Sequence, residues 1–98
     1  GIYSMEYALY KKAHLYYKVN DFQKADSVYS KLVDYYPESI KADNALFEHA
    51  ELLRTQLNNN EEAMKLYMIL MTDYPESIYS GKARKEYRLL VEGKKVED

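Results

Sequence analysis

Apolar residues recur three and four positions apart along almost the whole chain, and five separate stretches show the pattern. In the first, from Ser4 to Lys18, Met5, Leu9, Ala13, Tyr16 and Tyr17 form one face, with no Gly or Pro among them. That spacing predicts an amphipathic helix. Asn20-Asp21 reads as a turn, with Asp21 placed to cap a second helix. The second helix carries Phe22, Ala25, Val28, Tyr29, Leu32, Val33 and Tyr36 on one side, and Pro37 ends it. Ser39 is read as the cap of a third helix. It runs to about Arg54 with Ala42, Ala45, Leu46, His49, Leu52 and Leu53 inward. Leu57 to Asn60 forms the next turn. Asn60 is read as a cap, and Glu61 and Glu62 sit where the positive end of a helix dipole favours them. The fourth helix carries Ala63, Leu66, Tyr67 and Leu70 to a stop at Pro75. Ser77 is read as the cap of a fifth helix, which Gly93 closes, leaving a charged tail. No stretch alternates with a period of two, so no strand is predicted.

The pattern also repeats as a whole. Tyr36-Pro37-Glu38-Ser39-Ile40 returns unchanged as Tyr74-Pro75-Glu76-Ser77-Ile78, 38 residues later. Ala25, Tyr29 and Leu32 return as Ala63, Tyr67 and Leu70, and Ala45, Glu48 and Leu52 as Ala83, Glu86 and Leu90. Leu9, Tyr10 and Ala13 align with Leu46, Phe47 and Ala50 at an offset of 37, which places one extra residue in the loop near Asn58. The chain is therefore two and a half helical hairpins: a first repeat over about 3–37, a second over about 39–75, a fifth helix over about 77–92 and a tail over 93–98.

These residues resemble the tetratricopeptide repeat. In that family a small residue of the first helix faces a small residue of the second, an aromatic follows, and a proline closes the unit. Ala13, Ala25, Tyr29, Leu32 and Pro37 fit the first repeat, and Ala50, Ala63, Tyr67, Leu70 and Pro75 fit the second. The resemblance covers nearly the whole chain. It implies an all-α, right-handed α-α superhelix whose use is a surface and not a catalytic site. The period exceeds the family's usual value of about 34, and three of the extra residues follow Pro37, where they are read as lengthening the start of the third helix. Lys12 stands where the family usually has Leu. The Tyr-Pro-Glu-Ser turn before an Ala-rich helix resembles repeats of bacterial cell-envelope proteins. Outer-membrane assembly lipoproteins, the periplasmic partner of the Tol–Pal system and large Bacteroidetes-type proteins carry such repeats. This implies a scaffold of the periplasm or cell envelope, against the alternatives of a cytosolic adaptor or a helical accessory domain of an enzyme.

One hairpin cannot bury its own face, so neighbours stack. The fifth helix lacks a following partner and carries Lys82, Arg84, Lys85, Glu86 and Arg88, which marks it as a polar cap. At the other end Ile2, Tyr3, Met5 and Tyr7 are apolar. The expectation is a piece of a longer array, with self-association through the apolar end as one way to cover it.

Composition narrows the function. Among 98 residues, 14 Lys and Arg stand against 16 Asp and Glu, a net charge of −2. This argues against electrostatic binding to nucleic acid. The longest apolar run is Leu66 to Met71, far short of the roughly 20 residues that insert into a membrane, and no charged-then-apolar leader opens the residues given. Absence of Cys removes disulfides and thiolate sites. His14 and His49 on neighbouring helices, with Glu48 and Glu51 nearby, do not form a His-Glu-x-x-His pattern, so no metal is expected. No glycine-rich phosphate loop or nucleophile elbow is present, so no cofactor and no catalytic residue is assigned. Met64, Met68 and Met71, at helical spacing on the fourth helix, are read as core or as the junction with the next helix in preference to a soft recognition groove.

Tyrosine is in excess, at 12 of 14 aromatics. The repeat register accounts for Tyr16, Tyr29 and Tyr67 as core and for Tyr36 and Tyr74 as part of the Tyr-Pro turns. The resemblance places the remaining candidates on a concave groove lined by the first helix of each repeat: Tyr7, Tyr10, His14, Tyr17 and Lys18, with Asn44, Phe47, Glu51 and Arg54. It implies a protein or peptide partner, which tyrosine suits through a large apolar body and a polar tip. Packing of these tyrosines against a missing neighbour is the competing reading. Tyr10 and His14 stand where carboxylate-clamping members of the family use Lys and Asn, which disfavours that mode.

Overall fold

The computed structural model describes the backbone of residues 4–97 and the side chains of residues 4–94. Five helices follow one another: α1 (Met5–Lys18), α2 (Phe22–Tyr35), α3 (Ala42–Thr55), α4 (Asn60–Asp73) and α5 (Ser80–Glu97). No strand occurs among the described residues. Each helix packs on the next, α1 on α2, α2 on α3, α3 on α4 and α4 on α5, so the order in the chain is the order in space. This is the all-α stacked-hairpin arrangement that the repeat predicts.

The two hairpin turns owe their shape to asparagine. Asn20 and Asn58 have φ of 64° and 52°, in the left-handed region that Asn tolerates better than most side chains. Three residues join α1 to α2 and four join α3 to α4, so the extra residue lies in the second turn. Asp21 caps α2 by accepting from the Lys24 amide at 3.4 Å. Its counterpart is Asn59, which accepts from the Glu62 amide at 3.2 Å, and not Asn60. Asn60 is already helical, and the orphan amide needs its acceptor three residues back.

The Tyr-Pro turns correct the sequence reading at two points. Tyr36 and Tyr74 leave the helix with φ near −134° and −130°, as a residue preceding proline should. The residues that follow form turns and not helix, so the extra length of the repeat lies in the turn over 36–41. Ser39 and Ser77 are not helix caps. Their hydroxyls accept from the Lys41 and Tyr79 amides, closing the turn before each helix begins. Ser77 also donates to Asp43 Oδ2 at 2.6 Å, and the Tyr74 hydroxyl donates to the Pro37 carbonyl. The second turn is thereby tied to the first and to the start of α3. The repeated isoleucines take no part in the core: Ile40 and Ile78 are exposed.

Two cores result. Ala13, Ala25, Val28, Tyr29, Leu32, Ala45 and Leu52 make the first. Leu46, Ala50, Leu53, Ala63, Tyr67, Leu70 and Ala83 make the second. Small residues where α1 meets α2 and where α3 meets α4 let the helices approach, and a fully buried tyrosine fills each core. Met5, expected inward, is 60% exposed, because no described element lies beyond α1 to cover it. The apolar end also included Ile2 and Tyr3, which lie outside the described residues. At the other end Gly93 does not close α5. The helix continues through it to Glu97, and Lys94 reaches back to Glu61 at 2.6 Å. That ion pair holds the Glu61 carboxyl below the usual carboxylate range. Asp98, the last residue of the expected tail, lies outside the described residues.

Candidate functional site

The odd-numbered helices share one face, and their side chains enclose an open groove of about 830 Å³. α1 contributes His14, Tyr17 and Lys18, and α3 contributes Phe47, Glu48, Glu51 and Arg54. α5 contributes Lys82, Lys85 and Glu86. Six of the nine residues expected on the groove are therefore brought together: His14, Tyr17, Lys18, Phe47, Glu51 and Arg54. Tyr7, Tyr10 and Asn44 stand outside its lining. Tyr7 is 39% exposed near the start of α1. Tyr10 turns against α3, where its hydroxyl accepts from Asn44 Nδ2 at 3.0 Å and Lys41 Nζ lies 4.9 Å above its ring. Burial and the nearby Glu48 carboxylate push the Tyr10 hydroxyl well above the ordinary tyrosine range.

The residues of α5 escaped the sequence reading, although the register held the signal. Lys82, Lys85 and Glu86 are the counterparts of Asn44, Phe47 and Glu48 one repeat on. Reading α5 only as a cap hid its groove-facing side.

Charge in the groove is unevenly spent. Arg54 pairs with Glu51 and lies 3.5 Å from Glu86, so one guanidinium serves two carboxylates. It also donates to the Tyr67 hydroxyl at 3.2 Å, and that hydroxyl donates to Glu51 at 3.1 Å. Burial works against the Arg54 cation, but Tyr67 and Glu51 outweigh it and hold the guanidinium charged. His14 Nδ1 lies 3.2 Å from Glu48 Oε1. The second Glu48 oxygen and the Tyr29 hydroxyl are buried with no hydrogen-bond partner among the described residues. The three lysines, Lys18, Lys82 and Lys85, have no ion-pair partner among the described residues. Glu51 and Glu86 are thus engaged by Arg54 and one oxygen of Glu48 by His14, while the lysine side chains are exposed. The aromatic floor is fixed by packing: Phe47 stacks on Tyr79 at 4.9 Å, and Tyr17 sets its ring edge-on to Phe22 at 5.8 Å.

His49 is not part of this groove. It is buried between α2 and α3, paired through Nε2 to Asp26 and stacked on Tyr29. The two histidines belong to separate pairs, and no three His, Asp or Glu among the described residues converge as a metal site. Met68 and Met71 lie at the junction of α4 with α5, facing Tyr87 and Val91 across a second, smaller groove.

Comparison with curated proteins and with solved structures gave no match. A family model described as tetratricopeptide repeat matches residues 7–39 and 44–77. The two matches cover the α1–α2 and α3–α4 hairpins, and such repeats generally mediate protein–protein interaction. On these matches and on its helical repeat, the chain belongs to the tetratricopeptide repeat family.

Proposed function

We propose that the chain is a non-catalytic protein-interaction scaffold whose groove receives an extended, acidic segment of a protein partner. The observation that carries this reading is the charge distribution: Lys18, Lys82 and Lys85 flank an aromatic floor, while the groove's own carboxylates are occupied by Arg54 and His14. An acidic peptide gains three cations there without displacing an internal pair, and Tyr17 and Phe47 offer stacking area. We place the protein in the bacterial cell envelope, with the Tyr-Pro-Glu-Ser turn before an Ala-rich helix as the support. Cell fractionation of the parent protein tests that placement, and a cytosolic pool would contradict it.

A peptide array read by fluorescence polarisation tests the groove. Acidic peptides should bind in preference to basic ones, and affinity should fall with added salt. Lys82→Glu combined with Lys85→Glu should weaken binding at least about tenfold, the scale of a lost charged contact at an interface, with an unchanged unfolding midpoint. Tyr17→Ala should weaken it too. Binding that ignores all three changes would overturn the assignment.

A further inference from the structure

Two side-chain polar atoms are buried with no hydrogen-bond partner among the described residues, Glu48 Oε2 and the Tyr29 hydroxyl. The repeat register shows what they share. In the second repeat the Tyr67 hydroxyl accepts from Arg54 Nε at 3.2 Å. The same guanidinium pairs with Glu51 and lies 3.5 Å from Glu86. Carried back one repeat, Tyr67 becomes Tyr29 and Glu86 becomes Glu48, whereas Arg54 becomes Tyr17 and Glu51 becomes His14. The tyrosine and the carboxylate are kept, and the guanidinium that serves them is not. The two orphaned groups are thus the counterparts of two groups that Arg54 satisfies.

A carboxylate oxygen or a hydroxyl shut from water and unpaired is costly. The residues of α1 leave that cost in place. Tyr17 sets its ring against Phe22, and His14 meets Glu48 only at Oε1, 3.2 Å away, with its ring stacked on Tyr10. Burial, and after it the Glu48 carboxylate, pushes the Tyr29 hydroxyl well above the ordinary tyrosine range, so it stays neutral. A guanidinium suits these groups because its planar fork donates to both oxygens of one carboxylate, a geometry that an ammonium lacks. The approach is from the groove. His14, Tyr17 and Glu48 line it, and the His14 side chain is 39% exposed.

We propose that the α1 side of the groove receives an arginine side chain of the protein partner. Its guanidinium takes the place of the His14 ring on Glu48 and reaches the Tyr29 hydroxyl, as Arg54 serves Glu86 and Tyr67. This inference rests on the groove as the partner's binding surface and refines the segment that it takes: one arginine toward α1, with carboxylates toward Lys82 and Lys85 of α5.

The test uses acidic peptides that carry a single arginine, moved one position at a time. Each is paired with the same peptide carrying citrulline, which keeps the shape and loses the charge. By fluorescence polarisation, one register should bind at least about tenfold tighter with arginine than with citrulline, the scale of a charge-assisted contact to a buried carboxylate. Lysine in that register should recover less. Glu48→Gln should erase the preference. Tyr29→Phe should reduce it without lowering the unfolding midpoint, because the hydroxyl has no partner to lose. His14→Ala, which uncovers Glu48, should increase it. No preference in any register, or a preference that Glu48→Gln leaves intact, would overturn the proposal. So would a fall in the Tyr29→Phe midpoint, since a bridging water would then already serve the hydroxyl. Peptides that all fail to bind would take the groove reading down as well, whereas equal binding within every pair would overturn this inference alone.

Discussion

On α1 the positions aligned with Ala45, His49 and Leu52 of α3 are Ala8, Lys12 and Leu15. On α5 the positions aligned with Leu46, Ala50 and Leu53 of α3 are Arg84, Arg88 and Val91. Both sets sit at an outer face of the array, and both α3 sets are buried. The first end keeps an apolar residue on either side of one cation. The second replaces a leucine and an alanine with arginines, and these line a groove of about 440 Å³ together with Met68, Met71 and Tyr87. An ordinary following helix would bury both guanidiniums there, a cost that only paired carboxylates offset. The two faces thus differ in composition: one presents Ala8 and Leu15 around Lys12, and the other presents Arg84 and Arg88.

One substitution made at both copies of a register position should give the largest difference. Leu52→Ala opens a cavity in the first core and should cost about 2–5 kcal/mol, whereas Leu15→Ala, at the same register position, should stay within about 0.5 kcal/mol. Denaturant midpoints check both, and comparable losses would mean that α1 is not open. The middle position gives a smaller contrast. His49→Ala leaves Asp26 without its partner and should cost about 1–3 kcal/mol, at the lower end because Asp26 keeps access to water. Lys12→Ala should change nothing measurable in the same denaturation. The smallest stability effect belongs to the other end. Arg84→Leu with Arg88→Ala gives α5 the residues of α3 and should leave the monomer's midpoint within about 0.5 kcal/mol. It should also produce concentration-dependent association in sedimentation, because the enlarged apolar patch lacks a cover. A variant that stays monomeric would show that the arginines do not decide how this face behaves.

The repeat and the helices were legible because their punctuation is local. Proline removes the α conformation from the residue before it, asparagine accepts the left-handed turn, and the Tyr-Pro-Glu-Ser-Ile match sets the register. What was misread depends on neighbours. Met5 belongs to an apolar stripe, but a stripe is buried only where something packs on it. Gly93 has the identity of a helix stop, yet α5 runs through it, and Lys94 pairs with Glu61 on α4, a contact that helix signals do not reveal. Ser39 and Ser77 have capping chemistry, but the helices start three residues after them. In the groove, Tyr17, Phe47 and Arg54 followed from the family register. Tyr10 and Asn44 hydrogen-bond to each other outside the lining, a pairing between helices that neither helix shows alone. Lys82 and Lys85 required the register to be carried one repeat further.

Amide hydrogen exchange on the chain by itself tests the central claim most directly, that α1 is packed on one side only. Exchange reads local opening helix by helix. The amides of α3, packed on both sides, should exchange through unfolding of the array, and those of α1 around Ala8, Lys12 and Leu15 should exchange well before it. Equal protection of α1 and α3 would contradict the account.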